Sequence, residues 1–454
     1  APAPSLEMVS VGGNRVQVVV DRHDEDAEGG VHAEGTHASD DHAEGERAGG
    51  DAGALVEDAG LELISLVAVD ELLVEVPDGV TAAVLLQIAA PRGTELADVL
   101  DDVAVAEPED AARVVAVVPL APAATAEPGR VLGTRTLTVL PVFWDSPDST
   151  SVATLAALAT STAQYWSEQT GGRLTISTAV RGWASISPPT GCNAGDIWTS
   201  ALAAHGISAP SAGQHLLVYF PLRSDCGWAG LASVGGGQIW VNGQPIRDIF
   251  AHEFGHNLGL GHAKSATCQQ GSVRVSLLLP VTSCAVSEYG DWADVMGIGL
   301  NLDTGNLNTA LADELGVVES VAALPGQVVT VDLAPLAQVH AVRAVRVAVP
   351  GGTVFVDFRP AQGRDRRMPH WAGVQVHLQT RNTPYGYPMS YLLDMNPLAG
   401  PAFSDPALDP GMTWPVPGTP LQVQVLAVGS TARVRVPPPG TPMPSEYAPY
   451  VDRV

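Results

Sequence analysis

His252, Glu253, His256 and His262 are the residues of this chain whose types and spacing point to a reaction. They lie in one stretch, His252-Glu253-Phe254-Gly255-His256-Asn257-Leu258-Gly259-Leu260-Gly261-His262. At 3.6 residues per turn, His252 and His256 share a helix face one turn apart. Gly259 can take a positive φ and end the helix sharply, so that the chain turns and His262 approaches the same point. Three neutral imidazoles with an open fourth position describe a catalytic zinc site. Glu253 flanks that face, poorly placed as a ligand and well placed as a general base. Zinc in such a site lowers the pKa of its bound water to about 7. Glu253 would take the proton, and the resulting nucleophile would attack a peptide carbonyl. Closed structural zinc sites usually recruit Cys, and the four cysteines here lie outside the motif.

The helix needs a position as well as ligands. Pro245 suits its first turn and Asp248 complements the positive end of its dipole. Phe250, Phe254 and Leu258 form a stripe roughly opposite the histidines, for burial. Ahead of the helix, the pattern alternates strands and helices: Thr136–Trp144, a helix over 150–168 with Ser149 or Ser151 as cap, Arg173–Ser177, a helix Ala194–His205, Gln214–Phe220 and Gln238–Val241. After about Ala322 the texture becomes short Val-rich strands, at 327–333, 341–349, 352–359, 372–380, 390–395, 421–428 and 432–437, which together suggest a β-sandwich. Upstream, Arg15–Val20 and Leu72–Val76 read as strands and Thr81–Ala90 as a helix. Residues 21–53 are acidic and nearly free of large apolar side chains; His23, His32, His37 and His42 fall there, read as a solvated insertion rather than a metal trap. His340, His370 and His377 read as surface or internally satisfied histidines.

The net charge of −26 argues against nucleic acid or an anionic membrane as partner. Residues 1–130 carry 27 Asp/Glu against 6 Arg, a net of −21, and the remainder 22 against 17, a net of −5. The acidity therefore belongs to the segment ahead of the motif, which with the Pro/Ala-rich linker over 119–131 looks like a propeptide. The start Ala-Pro-Ala-Pro-Ser suits a chain freed of a signal peptide. No apolar run reaches the roughly 18–20 residues that span a bilayer. An even set of cysteines in a secreted chain favours two disulfides; of the three pairings, the sequence-local Cys192–Cys226 and Cys268–Cys284 are expected.

The motif HExxHxxGxxH followed by a methionine turn is the metzincin signature. Asp294-Val295-Met296-Gly297 is the candidate turn, and Met296 would form an apolar floor beneath the histidines. Several stretches resemble the gametolysin-like secreted zinc metallopeptidases in particular. These are Cys226-Gly227-Trp228-Ala229-Gly230-Leu231-Ala232, the run from His252 to Ala263, and Glu288-Tyr289-Gly290-Asp291 leading into the turn. Phe355–Arg359 and Ser390–Asp394 are similar too. The resemblance is specific over about 215–300, weaker over 134–214 and 320–437, and absent from 1–130.

The resemblance implies an α+β multidomain chain. A small acidic α+β prodomain (1–131, with the insertion 21–53) precedes a metzincin-type zinc protease domain (132–321, a twisted mixed sheet plus the active-site helix). A C-terminal β-sandwich (322–437) and a Pro-rich tail (438–454) follow. The expected protein is a secreted zinc endopeptidase, extracellular or cell-wall associated, monomeric, made as a zymogen and acting on extended protein or peptide substrate. It also places substrate along an edge strand at Gln238, Ile239, Trp240 and Val241. Two departures from the family stand out. Some metzincins carry a Tyr two residues after the turn Met, where this chain has Ile298, so zinc and Glu253 are expected to act without a tyrosine; Tyr289 is the alternative source. No Cys precedes Cys192, so a propeptide thiolate cannot silence the site. Glu288, Asp291, Asp294, Asn301 and Asp303 raise a calcium site, but match no EF-hand spacing and read better as loop bracing. The reading from a different class is a binding protein with a vestigial zinc site and a functional β-domain; an intact Glu253 argues against it.

Overall fold

The computed structural model describes residues 132–297, 305–368, 371–381 and 386–447, and the backbone of five N-terminal strands. The stretch 21–53, Leu72–Val76, Ile298, Asn301, Asp303, His370 and the end of the Pro-rich tail lie outside the described residues. The chain divides into two compact units: 1–117 with the short pieces 191–193 and 224–228, and the remainder.

In the smaller unit, Leu6–Val11 and Arg15–Val20 form an antiparallel hairpin. Leu61–Val67, Thr81–Pro91 and Arg113–Leu120 form a three-stranded sheet in that order. Thr81–Ala90 is thus a strand, not the expected helix. Its Ala/Leu/Gln composition favours helix locally, but pairing on both sides decides the outcome. The Cys192–Cys226 disulfide joins the two short pieces of this unit.

The larger unit begins with a mixed sheet. Its main strands are β1 (Gly133–Phe143), β2 (Leu174–Val180), β3 (Gln214–Phe220), β4 (Gly230–Ala232) and β5 (Gln238–Asn242), in the order β4-β5-β3-β1-β2, with the two-residue strand Ala184–Ser185 also paired to β1. All neighbours are parallel except β4, which runs antiparallel to β5. Consequently β5 has a partner on each side, and the free edge belongs to Gly230–Ala232 rather than to Gln238, Ile239, Trp240 and Val241. The three-residue strand is too short to announce itself by periodicity, which is why the edge reads one strand too far inward.

Helix α1 (Val152–Gln169) is capped by Ser151, whose Oγ accepts from the Thr154 N–H at 3.0 Å. It buries Leu155, Ala159, Thr162, Tyr165, Trp166 and Gln169, one stripe at helical spacing. That stripe meets Leu137 and Val139 of β1, Ile239 and Val241 of β5, and the next-but-one helix α3 (Arg247–Asn257). Trp240, alternating to the opposite face of β5, packs against Trp198 of α2 (Ala194–His205). Phe250 and Phe254 are fully buried in the α1 core. Each stabilises by roughly 2–3 kcal/mol on burial, and together they fix the rotation of α3 about its axis.

The remaining strands are β6 (Ala263–Gln270), β7 (Val273–Val275), β8 (Ala285–Ser287), β9 (Glu319–Ala322), β10 (Val329–Leu333), β11 (Val342–Val349), β12 (Gly352–Arg359), β13 (Gly373–Arg381), β14 (Pro388–Leu393), β15 (Thr413–Pro415), β16 (Gln422–Val428) and β17 (Ala432–Val436). One sheet runs β7-β6-β14-β13-β12-β11-β9, with β8 also on β6; a second runs β10-β17-β16-β15. Val345, Val347, Val354 and Val356 of the first share a core with Val423, Val425, Val434 and Val436 of the second. The larger sheet draws strands from both sides of residue 322, because β6 pairs in parallel with β14. The Cys268–Cys284 disulfide joins β6 to the residue just before β8.

A buried layer of charge lies between this sheet and the loop after β8. His377 of β13 sits between Asp291 (Nε2 to Oδ2, 3.1 Å) and Asp357 (Nδ1 to Oδ2, 3.3 Å), all three without solvent exposure. Arg359 donates to Asp365, to the Asn306 carbonyl and to Gln375. Burial alone would lower the His377 pKa, but Asp357 and Asp291 hold it up at about 9. His340, by contrast, is exposed. Because the folded value lies above the usual 6.5, the stability His377 contributes is full below about pH 6.5 and is lost as pH rises through about 9. We expect the melting temperature to fall between those pH values. His377→Gln should lower it at pH 7, by an amount equivalent to about 3–5 kcal/mol, and abolish most of that alkaline slope. Thermal melts from pH 6 to 10 check both.

Candidate active site

Helix α3 ends by design of its sequence. Gly259, with φ +95°, follows the cap residue Leu258. The Leu260 N–H returns to the Gly255 carbonyl at 3.1 Å and the Gly259 N–H to His256 at 2.8 Å, a Schellman ending. Pro245 lies two residues before the first helical residue, Arg247, rather than inside the first turn. The reversal brings His262 to His252 and His256, with ring centroids 4.8–5.4 Å apart. One ligand nitrogen from each of the three lies within 4.8 Å of the others.

The other ring nitrogens decide what these imidazoles can do. Nδ1 of His252 lies 2.8 Å from the Val295 carbonyl, Nδ1 of His256 2.8 Å from the Leu260 carbonyl, and Nδ1 of His262 2.6 Å from Glu288 Oε1. A carbonyl and a carboxylate oxygen only accept, so each Nδ1 donates its proton there and Nε2 is the nitrogen left to face a metal. Burial, with mutual repulsion, holds His252 down to about 3 and His256 well below its ordinary value. Three imidazoles, each with Nδ1 engaged and Nε2 left over, fit the donor set that a catalytic zinc requires. No Cys or carboxylate joins the cluster among the described residues.

Met296 is buried under the helix at Gly255, where any side chain would meet the Met296 sulfur and the Trp166 ring. Its turn is braced by Asp294, which accepts from the Met296 N–H at 2.8 Å and the Asn308 N–H at 2.6 Å. Asn308 in turn caps α4 (Thr309–Glu314). So the residue before Met296 supplies the acceptor for His252, a role the sequence did not suggest. The carboxylates of Glu288, Asp291 and Asp294, considered for calcium, are engaged with protein partners.

Glu253 is 6% exposed, and burial raises its pKa to about 8. Its carboxylate lies against Gly230 of the edge strand β4, where a Cβ would overlap it. Tyr289 is also at the site, contrary to expectation. Its ring centroid is 4.3 Å from that of His262 and 6.0 Å from that of His252, and it remains 40% exposed. Sequence spacing from Met296 concealed it, because it enters from the strand β8 side rather than from beyond the turn. Burial, then the charges of Glu253 and Glu288, keep its hydroxyl protonated.

Residues 150–393 match the family model of gametolysin peptidase M11, more than half of the chain. The chain belongs to the gametolysin peptidase M11 family. Membership supports a zinc metallopeptidase, and the His252–His256–His262 set is where this gametolysin-family chain would hold the ion. A search of curated proteins returns no match. Among solved structures, archaemetzincin from Methanopyrus kandleri is similar at 14% identity over 40% of this chain and 94% of that one, with a TM-score of 0.23. A likeness that low adds nothing to the assignment.

Gly230 gives a direct test of the Glu253 placement. Gly230→Ala has no left-handed φ to strain, and its Cβ would overlap Oε1, Cδ and Cγ of Glu253, displacing that side chain. We expect unchanged folding and zinc content with peptidase turnover lowered by about 100-fold, since a displacement of about 1 Å costs on that scale. Steady-state kinetics beside metal analysis would detect it.

Proposed function

We propose that this chain is a secreted zinc endopeptidase that cleaves extended extracellular or cell-wall protein, made with residues 1–131 as an inhibitory propeptide. The observation that carries the catalytic reading is the set of three Nδ1–H groups, each held by an acceptor, on histidines whose ligand atoms lie within 4.8 Å of one another, with Glu253 buried on the same helix. A zinc ion held by His252, His256 and His262 supplies Lewis acidity toward water and toward the scissile carbonyl.

The chain's own residues supply the rest. Glu253 accepts the proton of the attacking water and returns it to the leaving amine. Its low-dielectric pocket raises the basicity of the carboxylate. The hydroxyl of Tyr289, whose ring packs against His262, can donate to the oxyanion as the carbonyl carbon becomes tetrahedral. Substrate in extended form adds to the free edge of β4, so that its backbone pairs with Gly230–Ala232 in front of Glu253. The absence of any Cys before Cys192 leaves silencing of the zymogen to a carboxylate or to obstruction of the cleft. The two disulfides suit an oxidising compartment, and among the described residues no helix is long and apolar enough to cross a membrane.

The test is casein or gelatin cleavage by the chain and by Glu253→Ala, with zinc measured in both. We expect equal zinc and a loss of about 10²–10⁴-fold in kcat for the variant, the range for a general acid–base group. Equal cleavage would sink the mechanism. Zinc-loaded protein that stays inactive after removal of residues 1–131 would favour a binding protein instead.

A further inference from the structure

The three histidines are not held alike. His252 and His256 are fastened by neutral backbone carbonyls and lie deep in the helix packing. His262 has neither advantage. It lies beyond the helix, its side chain is 22% exposed, and its Nδ1 acceptor is a side chain, Glu288, at 2.6 Å.

Glu288 is itself pinned. Its second oxygen, Oε2, lies 2.7 Å from Nζ of Lys264. Lys264 is the only lysine in the chain, and its side chain is 13% exposed, with the ammonium 5.9 Å from the Tyr391 ring centroid. Burial alone would raise the Glu288 pKa, but the His262 hydrogen bond and the Lys264 charge bring it below the ordinary carboxylate range. One carboxylate thus takes a donor on each oxygen.

The strand register explains how they meet. β6 and β8 pair antiparallel as Ser265↔Ser287, Ala266↔Val286 and Thr267↔Ala285. One step further toward the site, Lys264 stands opposite Glu288. One step in the other direction, Cys268 stands opposite Cys284, and these two are disulfide-bonded. The covalent link therefore fixes the register that sets Glu288 between Lys264 and His262. A slip of one residue would turn Glu288 to the other face of the ladder.

We propose that Glu288 is a positioning residue for the third metal ligand, its carboxylate fixing the tautomer and ring orientation of His262 while Lys264 and the Cys268–Cys284 link fix the carboxylate. This rests on the zinc-site reading above. A carboxylate behind an imidazole orients the ring and raises its basicity as a ligand, and removing such partners typically weakens metal affinity about 10–100-fold. His262 needs that support more than its neighbours do, because it lies beyond the helix and its only Nδ1 acceptor is a side chain.

The experiment measures zinc dissociation constants for the full chain by competition with a chromogenic chelator. The variants are Glu288→Ala, Glu288→Gln and Lys264→Met, with His252→Ala giving the background from other sites. We expect Glu288→Ala to bind zinc about 10–100-fold more weakly. Glu288→Gln keeps the size and an acceptor oxygen, so it should recover part of the loss, and it stays readable if Ala disturbs the loop. Lys264→Met should fall between wild type and Glu288→Ala. Zinc-free melting temperatures should be nearly unchanged, since the Glu288 side chain is 49% exposed. Zinc constants within twofold of wild type for both Glu288 variants, with His252→Ala clearly weaker, would overturn this proposal and leave the metal site standing. Equal constants for wild type and His252→Ala would overturn the metal site itself, and this proposal with it.

Discussion

The hydrogen bond at Nδ1 of each active-site histidine is the constraint on which the rest of this structure turns. A histidine can ligate through Nε2 only if something else holds the proton on Nδ1. Three acceptors are needed, and they come from three levels of organisation. The Leu260 carbonyl is local, delivered to His256 by the Schellman ending that Gly259 permits. The Val295 carbonyl is distant in sequence and requires the methionine turn to be placed against α3. The Glu288 carboxylate requires the β6/β8 ladder. The site therefore forms only when the mixed sheet, the turn and the larger β-sheet have all assembled.

That dependence accounts for charge in an interior where apolar packing would be cheaper. Asp291, Asp294, Asp357, Arg359 and His377 are all buried, yet each is tied to a backbone group or an opposite charge. Burying such groups costs desolvation that the ion pairs only partly offset. What they provide is direction. Asp294 accepts two backbone N–H groups and holds the turn open, and His377 holds Asp291 against the sheet. An apolar layer would fill the same volume without fixing where the Val295 carbonyl points.

Much of this was legible in the residues. The clustering of His252, His256 and His262, the helix ending at Gly259 and the placement of Met296 follow from short-range spacing, where geometry is nearly determined. Both disulfides join the sequence-local pairs that were expected. What was not legible depends on pairing across long sequence separations. The helix expected over Thr81–Ala90 is a strand because neighbours on both sides override its propensity. The edge strand shifts from Gln238–Val241 to Gly230–Ala232 because three residues carry no periodicity. Tyr289 and Glu288 were in view as residues, but their approach to His262 exists only through a ladder whose partner strand begins at Ala263, 25 residues before Glu288.

The shift of the edge strand also changes what Glu253 faces. Had β5 been the edge, the general base would stand against a bulky strand containing Ile239 and Trp240, both buried toward the two cores and unable to yield. With β4 outermost, Glu253 instead meets Gly230, the one residue type that leaves the carboxylate room beside the sheet. On the proposed reading, a substrate pairing with β4 would lie next to Glu253. The same glycine is thus what allows the strand backbone and the Glu253 carboxylate to share one small volume.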